Sequence, residues 1–128
     1  ATAGGLSGPL DLRFGPGGDL FVNSFNNGVI KRYDGATGAF EGDFVTGLGT
    51  TQGQEIGPDG KLYVGSYTGN RIARYDAVSG AFLGDFVTAG SGGLAQPNNF
   101  GFMPDAVPEP ATLLCLAIPL AAMRRKRP

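Results

Sequence analysis

The sequence predicts an all-β protein made of repeated four-stranded units. Two observations carry that expectation. The segment FVNSFNNGVIKRYDGATGAFEGDFV at 21–45 returns as YVGSYTGNRIARYDAVSGAFLGDFV at 63–87, an ungapped offset of 42 residues with 13 of 25 positions identical. The 128 residues also include 23 Gly and 9 Pro, spaced as turns between short apolar and aromatic runs. A period of about 40–50 residues marks an array, and four strands per unit mark a β-propeller. No stretch of 1–105 has helical periodicity.

Each unit divides into four strand-like pieces, in the first unit at 10–14, 19–24, 29–34 and 39–45. The first turn is Gly15-Pro16-Gly17-Gly18, repeated as Gly57-Pro58-Asp59-Gly60. Both are rich in residues that tolerate positive φ, as tight hairpins require. The second turn is Asn26-Asn27-Gly28, repeated as Thr68-Gly69-Asn70; the third spans 35–38 and 77–80. The pieces Leu20-Phe21-Val22 and Leu62-Tyr63-Val64 are continuously apolar. That pattern suits strands buried on both faces.

The units run at about 5–46 and 47–88, within a repeat region at 1–105. A third begins at Gly93-Leu94, with Pro97, Phe102 and Pro104-Asp105 echoing Pro9, Phe14 and Pro16-Gly17, and stops near 105. The expected architecture is thus two complete four-stranded blades and part of a third. Propellers have about four to eight blades. The expectation is a C-terminal portion of a six- or seven-bladed propeller, the alternative being assembly with further copies.

The repeat resembles the NHL, SMP-30 and YncE group of β-propeller repeats. Their pattern is met here by Pro9, Gly57-Pro58-Asp59-Gly60, Tyr63-Val64, Asn70-Arg71-Ile72, Tyr75-Asp76 and Ser79-Gly80. The resemblance concerns the fold, because the repeated residues build the blade.

A different signal occupies 106–128. Val107, Pro108, Glu109 and Pro110 precede an apolar run at 111–123, and Arg124, Arg125, Lys126 and Arg127 follow it. An apolar run closed by cations is a stop-transfer design, with the cations on the cytoplasmic side. The two prolines keep the Glu109 segment out of a helix ladder and accessible. The run has 13 residues and contains Pro119. As a helix it would reach about 20 Å, against a hydrocarbon core of about 30 Å. It therefore reads as a transient transmembrane anchor. The order of the three parts resembles the PEP-CTERM sorting signal of bacterial envelope proteins. The resemblance implies an exosortase partner acting at Pro108-Glu109-Pro110, transient residence in the inner membrane with the C-terminus cytoplasmic, and release to the envelope or exterior. The chain opens Ala1-Thr2-Ala3 without an initiator Met. An exported chain of this kind is expected to carry a signal peptide ahead of these residues.

Composition narrows the chemistry. The formal charge is −1, and the four tail cations leave −5 on 1–123, so there is no basic patch for nucleic acid. Cys115, the single cysteine, lies within the apolar run and has no intramolecular partner. No P-loop, CxxC, HExxH or GxSxG motif is present. Asp34 and Asp76 each follow a tyrosine at a strand end, where they are expected to accept backbone N–H bonds of the next turn. Arg32 and Arg74 are expected to pair with acidic neighbours such as Asp43 and Asp85.

The expected function is a non-catalytic, exported binding module for a polysaccharide, envelope protein or matrix component. The alternative is a secreted enzyme like the SMP-30-type lactonases or virginiamycin B lyases, with its active-site residues expected in blades upstream of these residues. Lyases of that kind use a histidine base, and this chain has no histidine. Lactonases hold a divalent metal with Glu, Asn and Asp. Glu55 on a first strand, with Asn98 and Asn99, could ligate Ca²⁺. The preferred expectation for these three, as for Asp11 and Gln54, is polar groups facing a wet channel, with no cofactor.

Overall fold

A computed structural model describes residues 3–103. Its architecture is two four-stranded antiparallel sheets, each in simple sequential order. The first holds β1 (Pro9–Phe14), β2 (Leu20–Ser24), β3 (Val29–Tyr33) and β4 (Phe40–Val45). The second holds β5 (Thr51–Ile56), β6 (Leu62–Ser66), β7 (Arg71–Tyr75) and β8 (Phe82–Val87). The observed strands match the expected pieces to within one residue at each end. The shifts at the end of β3 and the start of β4 share one cause. In the third turn, the Asp34 N–H donates to Ala39 O at 2.8 Å, so both residues close the turn instead of extending the strands.

The turns behave as their residues dictate. Gly15 and Asp19 close the first hairpin through Gly15 N–H to Asp19 O at 2.8 Å, and Gly57 and Lys61 do the same at 2.9 Å. Asn26 and Asn27 lie in a short 3₁₀ turn, Phe25–Asn27, that ends on Gly28 at φ 68°. The matching position in the second repeat is Asn70, at φ 56°. Asparagine is among the few non-glycine residues that adopt this left-handed conformation readily. The two repeats thus solve one backbone problem with different residues.

The core lies between the sheets. Phe21, Ile30, Val45, Leu48, Leu62, Val64, Ala73, Tyr75 and Ala77 form one buried cluster, with Phe44 and Ile56 packed against it. The first strands of the two sheets differ sharply in environment. β5 is largely covered, whereas Leu10, Leu12 and Phe14 of β1 are exposed. The reason is order: β5 lies against the first sheet, and nothing among the described residues lies in front of β1.

Residues 94–103 form no strand. They nevertheless cover the second sheet where a further first strand would be expected. A Cβ on Gly53 would strike Asn98 O, and one on Gly65 would meet Phe100 Cε1 at 3.4 Å. Phe102 packs on Tyr63, with ring centroids 4.6 Å apart.

Leu62 is fully buried in the shared cluster. Truncating such a residue to alanine costs about 2–5 kcal/mol. Leu62→Ala is therefore expected to lower stability by that amount in urea titration, while exposed Val78→Ala changes it by less than about 0.5 kcal/mol.

Candidate functional site

The chemistry-bearing side chains gather where β1 and β5 run beside each other. Arg13 on β1 donates from Nε to Glu55 Oε1 at 3.0 Å and from Nη1 to Asp11 Oδ1 at 2.6 Å. The guanidinium thus ties two carboxylates from two sheets. The Glu55 hydrogen bond is the main reason that the Arg13 pKa is raised. Asp11 Oδ2 also accepts the Gln54 N–H at 3.1 Å. Gln54 is buried, and its Nε2 donates to Asp11 O at 3.2 Å and Phe21 O at 3.1 Å. A parallel link joins buried Asn23 on β2 to β5, with Nδ2 donating to Thr51 Oγ1 at 2.6 Å and Thr51 O at 2.7 Å.

This arrangement places the residues considered as metal ligands. Glu55 Oε1 accepts from Arg13 and from the Ile56 N–H at 3.2 Å. Asn98 Oδ1 accepts from Gln52 Nε2 at 2.6 Å. No bond links Glu55 with Asn98 or Asn99 among the described contacts. A cation at Glu55 would compete with the guanidinium already seated there. Among the described residues no three His, Cys, Asp or Glu side chains come together as a metal site.

Asp34 and Asp76 serve their turns. Asp34 Oδ1 accepts the Ala36 and Thr37 N–H groups, each at 2.8 Å. Asp76 Oδ1 accepts from Val78 at 2.9 Å and Ser79 at 2.8 Å. Hydrogen bonds to the ionised form lower a carboxyl pKa. The Thr37 and Ala36 N–H groups lower that of Asp34, and those of Ser79 and Val78 take Asp76 down to about 2.

The arginine pairing differs from expectation. Lys31 binds Asp43 at 2.6 Å, and Arg71 binds Asp85 at 2.9 Å. Arg32 instead lies 3.3 Å from Glu41 and 3.8 Å from Asp19, and Arg74 lies 3.4 Å from Asp59. Register decides this. Lys31 stands directly opposite Asp43, and Arg32 opposite Gly42. On the second sheet Asp85 faces Ala73, so Arg71, two residues away on the same face, reaches it.

Arg13, Asn23 and Thr51 escaped the sequence reading, whereas Glu55, Asp11 and Gln54 are in it as channel-facing polar groups; Gln54 is instead buried between the sheets, bonded to Asp11 O and Phe21 O. Arg13 and Glu55 stand 42 residues apart, at the same phase of the repeat. Opposite charges at one phase of neighbouring units are a readable sign of contact between units. Asp59 was read only as a turn residue. It also accepts from Tyr63 Oη at 2.8 Å. Burial raises its pKa, but the Lys61 N–H, the Tyr63 hydroxyl and Arg74 outweigh that and lower it.

Shallow clefts open beside β1 and at one loop end of the sheets. One, about 420 Å³, is lined by Pro9, Leu10, Asp11, Leu12 and Arg13. The other, about 380 Å³, is lined by Asn26, Asn27, Gly28, Gly47 and Thr50 among others, at the loop end between the sheets.

The fold is similar to part of a hydrazine synthase chain. That chain, from Kuenenia stuttgartiensis hydrazine synthase, matches with a TM-score of 0.65 and 20% identity over 81% of this chain. This chain spans 28% of the length of the hydrazine synthase chain. At that identity the likeness to hydrazine synthase concerns the fold alone. No protein-family model matches the chain, and no curated protein does.

Val107, Pro108, Glu109, Pro110, the apolar run at 111–123 and Arg124, Arg125, Lys126 and Arg127 lie outside the described residues. No helix among the described residues is long and apolar enough to cross a membrane.

The Asp76 carboxyl titrates at about 2 in the folded chain, against an ordinary value of 3.8. Its stabilising effect is complete above 3.8 and is lost as the pH falls through 2. The urea midpoint is expected to fall less between pH 4 and pH 2 in Asp76→Asn than in the native chain; parallel curves would contradict that role.

Proposed function

We propose that this chain is an exported β-propeller unit, sorted through its C-terminal segment and used as a binding module in the cell envelope or extracellular matrix. The single observation behind the destination is the order of 106–128: Pro108-Glu109-Pro110, then the apolar run, then Arg124–Arg127. In this reading an exosortase acts at the proline-flanked Glu109. The four cations hold the C-terminus on the cytoplasmic side, and the short run leaves the membrane after processing.

The propeller reading rests on the repeat and on how its two copies meet. Two four-stranded sheets of equal strand order, 42 residues apart, share one buried cluster, which supports reading them as successive blades. The polar cleft beside Asn26, Asn27 and Thr50 opens at the loop end, where a polysaccharide or an envelope protein would find amide and hydroxyl groups. A lactonase-like or lyase-like role gains no support from Glu55, which is engaged by Arg13.

The sorting step is tested in a bacterial host that has an exosortase. Glu109→Ala, or deletion of 124–127, is expected to leave the protein larger and membrane-associated by immunoblot of cell fractions. Unchanged size and location in both variants would overturn the sorting reading.

A further inference from the structure

We propose that the cleft between the β2–β3 turn and the connection 46–50 binds a neutral glycan, an assignment that rests on the binding-module reading and gives it a ligand class. Both walls belong to the described residues: 26–29 on one side, and Gly47, Gly49 and Thr50 on the other. The cleft of about 380 Å³ is thus bounded by the first sheet and by its link to the second. Ligand clefts span about 300–1,000 Å³, so this one suits a short run of sugar rings.

The lining selects the ligand. None of its side chains is charged. An ion taken into it from water would find no counter-charge, and burying an unpaired charge is costly. The walls offer amides, a hydroxyl and glycine backbone instead. Asn26 and Asn27 are exposed, and their Nδ2 atoms are already committed. Asn26 donates to Ser7 Oγ at 3.1 Å, and Asn27 to Gly5 O at 2.6 Å and Ser24 Oγ at 3.0 Å. Those bonds hold each amide in one orientation and leave its Oδ1 to accept from a ligand hydroxyl. Gly47 and Gly49 carry no side chain, so a ligand can approach the main chain there. An aromatic pair stands beside both walls. Phe25 adjoins Asn26, the Tyr67 N–H donates to Thr50 O at 2.7 Å, and the two half-buried rings meet edge to face at 6.2 Å. A sugar ring, with hydroxyls at its rim and apolar C–H groups on its faces, matches amides set beside aromatics. A folded protein partner needs about 800 Å² on each side, more than walls this short present.

The second repeat has the same place closed. There 68–71 correspond to 26–29, and the connection that follows, 88–96, is longer than 46–50. It folds back onto the turn: the Gly90 N–H donates to Asn70 O and the Gln96 N–H to Asn70 Oδ1, each at 2.9 Å. Arg71, at the position of Val29, brings a charge that Asp85 neutralises. In the first repeat Gly28 stands in place of Asn70, so the side chain that holds the covering segment is missing. Of two equivalent places, one is filled by the chain's own peptide and the other is open to a ligand.

The test is amide NMR of the full chain in a detergent without a sugar headgroup. The probes are neutral gluco-, galacto- and mannotetraose, tetragalacturonate as the acidic counterpart, and a peptide with the sequence of 88–96. At least one neutral tetraose is expected to shift the amides of Asn26, Gly28, Gly47 and Thr50, while tetragalacturonate leaves them in place. Tyr67→Ala and Asn26→Asp are each expected to weaken that binding by about tenfold or more, with spectra otherwise native, and Val78→Ala to bind as the native chain does. No shift at these amides with any neutral tetraose would overturn the proposal. So would tetragalacturonate or the peptide binding there in their place. Shifts confined to other amides would overturn the cleft and leave the binding module standing, whereas a chain that no probe shifts would count against both.

Discussion

Gln54 is the point on which the two sheets depend. Its amide is buried between them, and its donors go to Asp11 O and Phe21 O while its own N–H goes to Asp11 Oδ2. A buried amide costs free energy unless it is bonded, so this contact penalises any sliding of one sheet over the other. Asn23 acts likewise on Thr51. The apolar cluster supplies the bulk of the attraction, which is not directional. The amides convert it into one registered arrangement.

That arrangement is asymmetric. Each sheet has a front, on its first strand, and a back, built around an aromatic pair. β5 meets the first sheet along β1 and β2, leaving a front on β1 and, on the second sheet, the face around Tyr63 and Phe86. Exposed apolar strands favour association and are usually covered in native proteins. Residues 94–103 partly cover the back through Phe102. The front has no cover among the described residues, and Leu10, Leu12 and Phe14 remain exposed there.

The repeat made the strands and turns legible. Identical residues 42 apart must do the same local task, so Tyr75-Asp76 and Tyr33-Asp34 read correctly as strand end and turn anchor. What the repeat does not encode is which side chains face each other. Arg32 and Asp43 are close in the chain, yet the β3–β4 register gives Asp43 to Lys31. The joints between units were hidden for a related reason, because they depend on where the repeats differ. Asn23 is replaced by Gly65 in the second unit, and Gln54 takes the place of Leu12. The third unit was legible as an echo at Pro97 and Phe102, but 97–103 lacks the strand ladder that the echo suggested.

The account holds that the two sheets are one cooperative body, locked by Gln54 and Asn23 and filled by one shared core. Native-state hydrogen exchange tests this directly. Amides of β2, β3, β6 and β7 should exchange through one common opening, with a single free energy and a single denaturant dependence. Two separate openings, one for β2 and β3 and a second, lower one for β6 and β7, would contradict it.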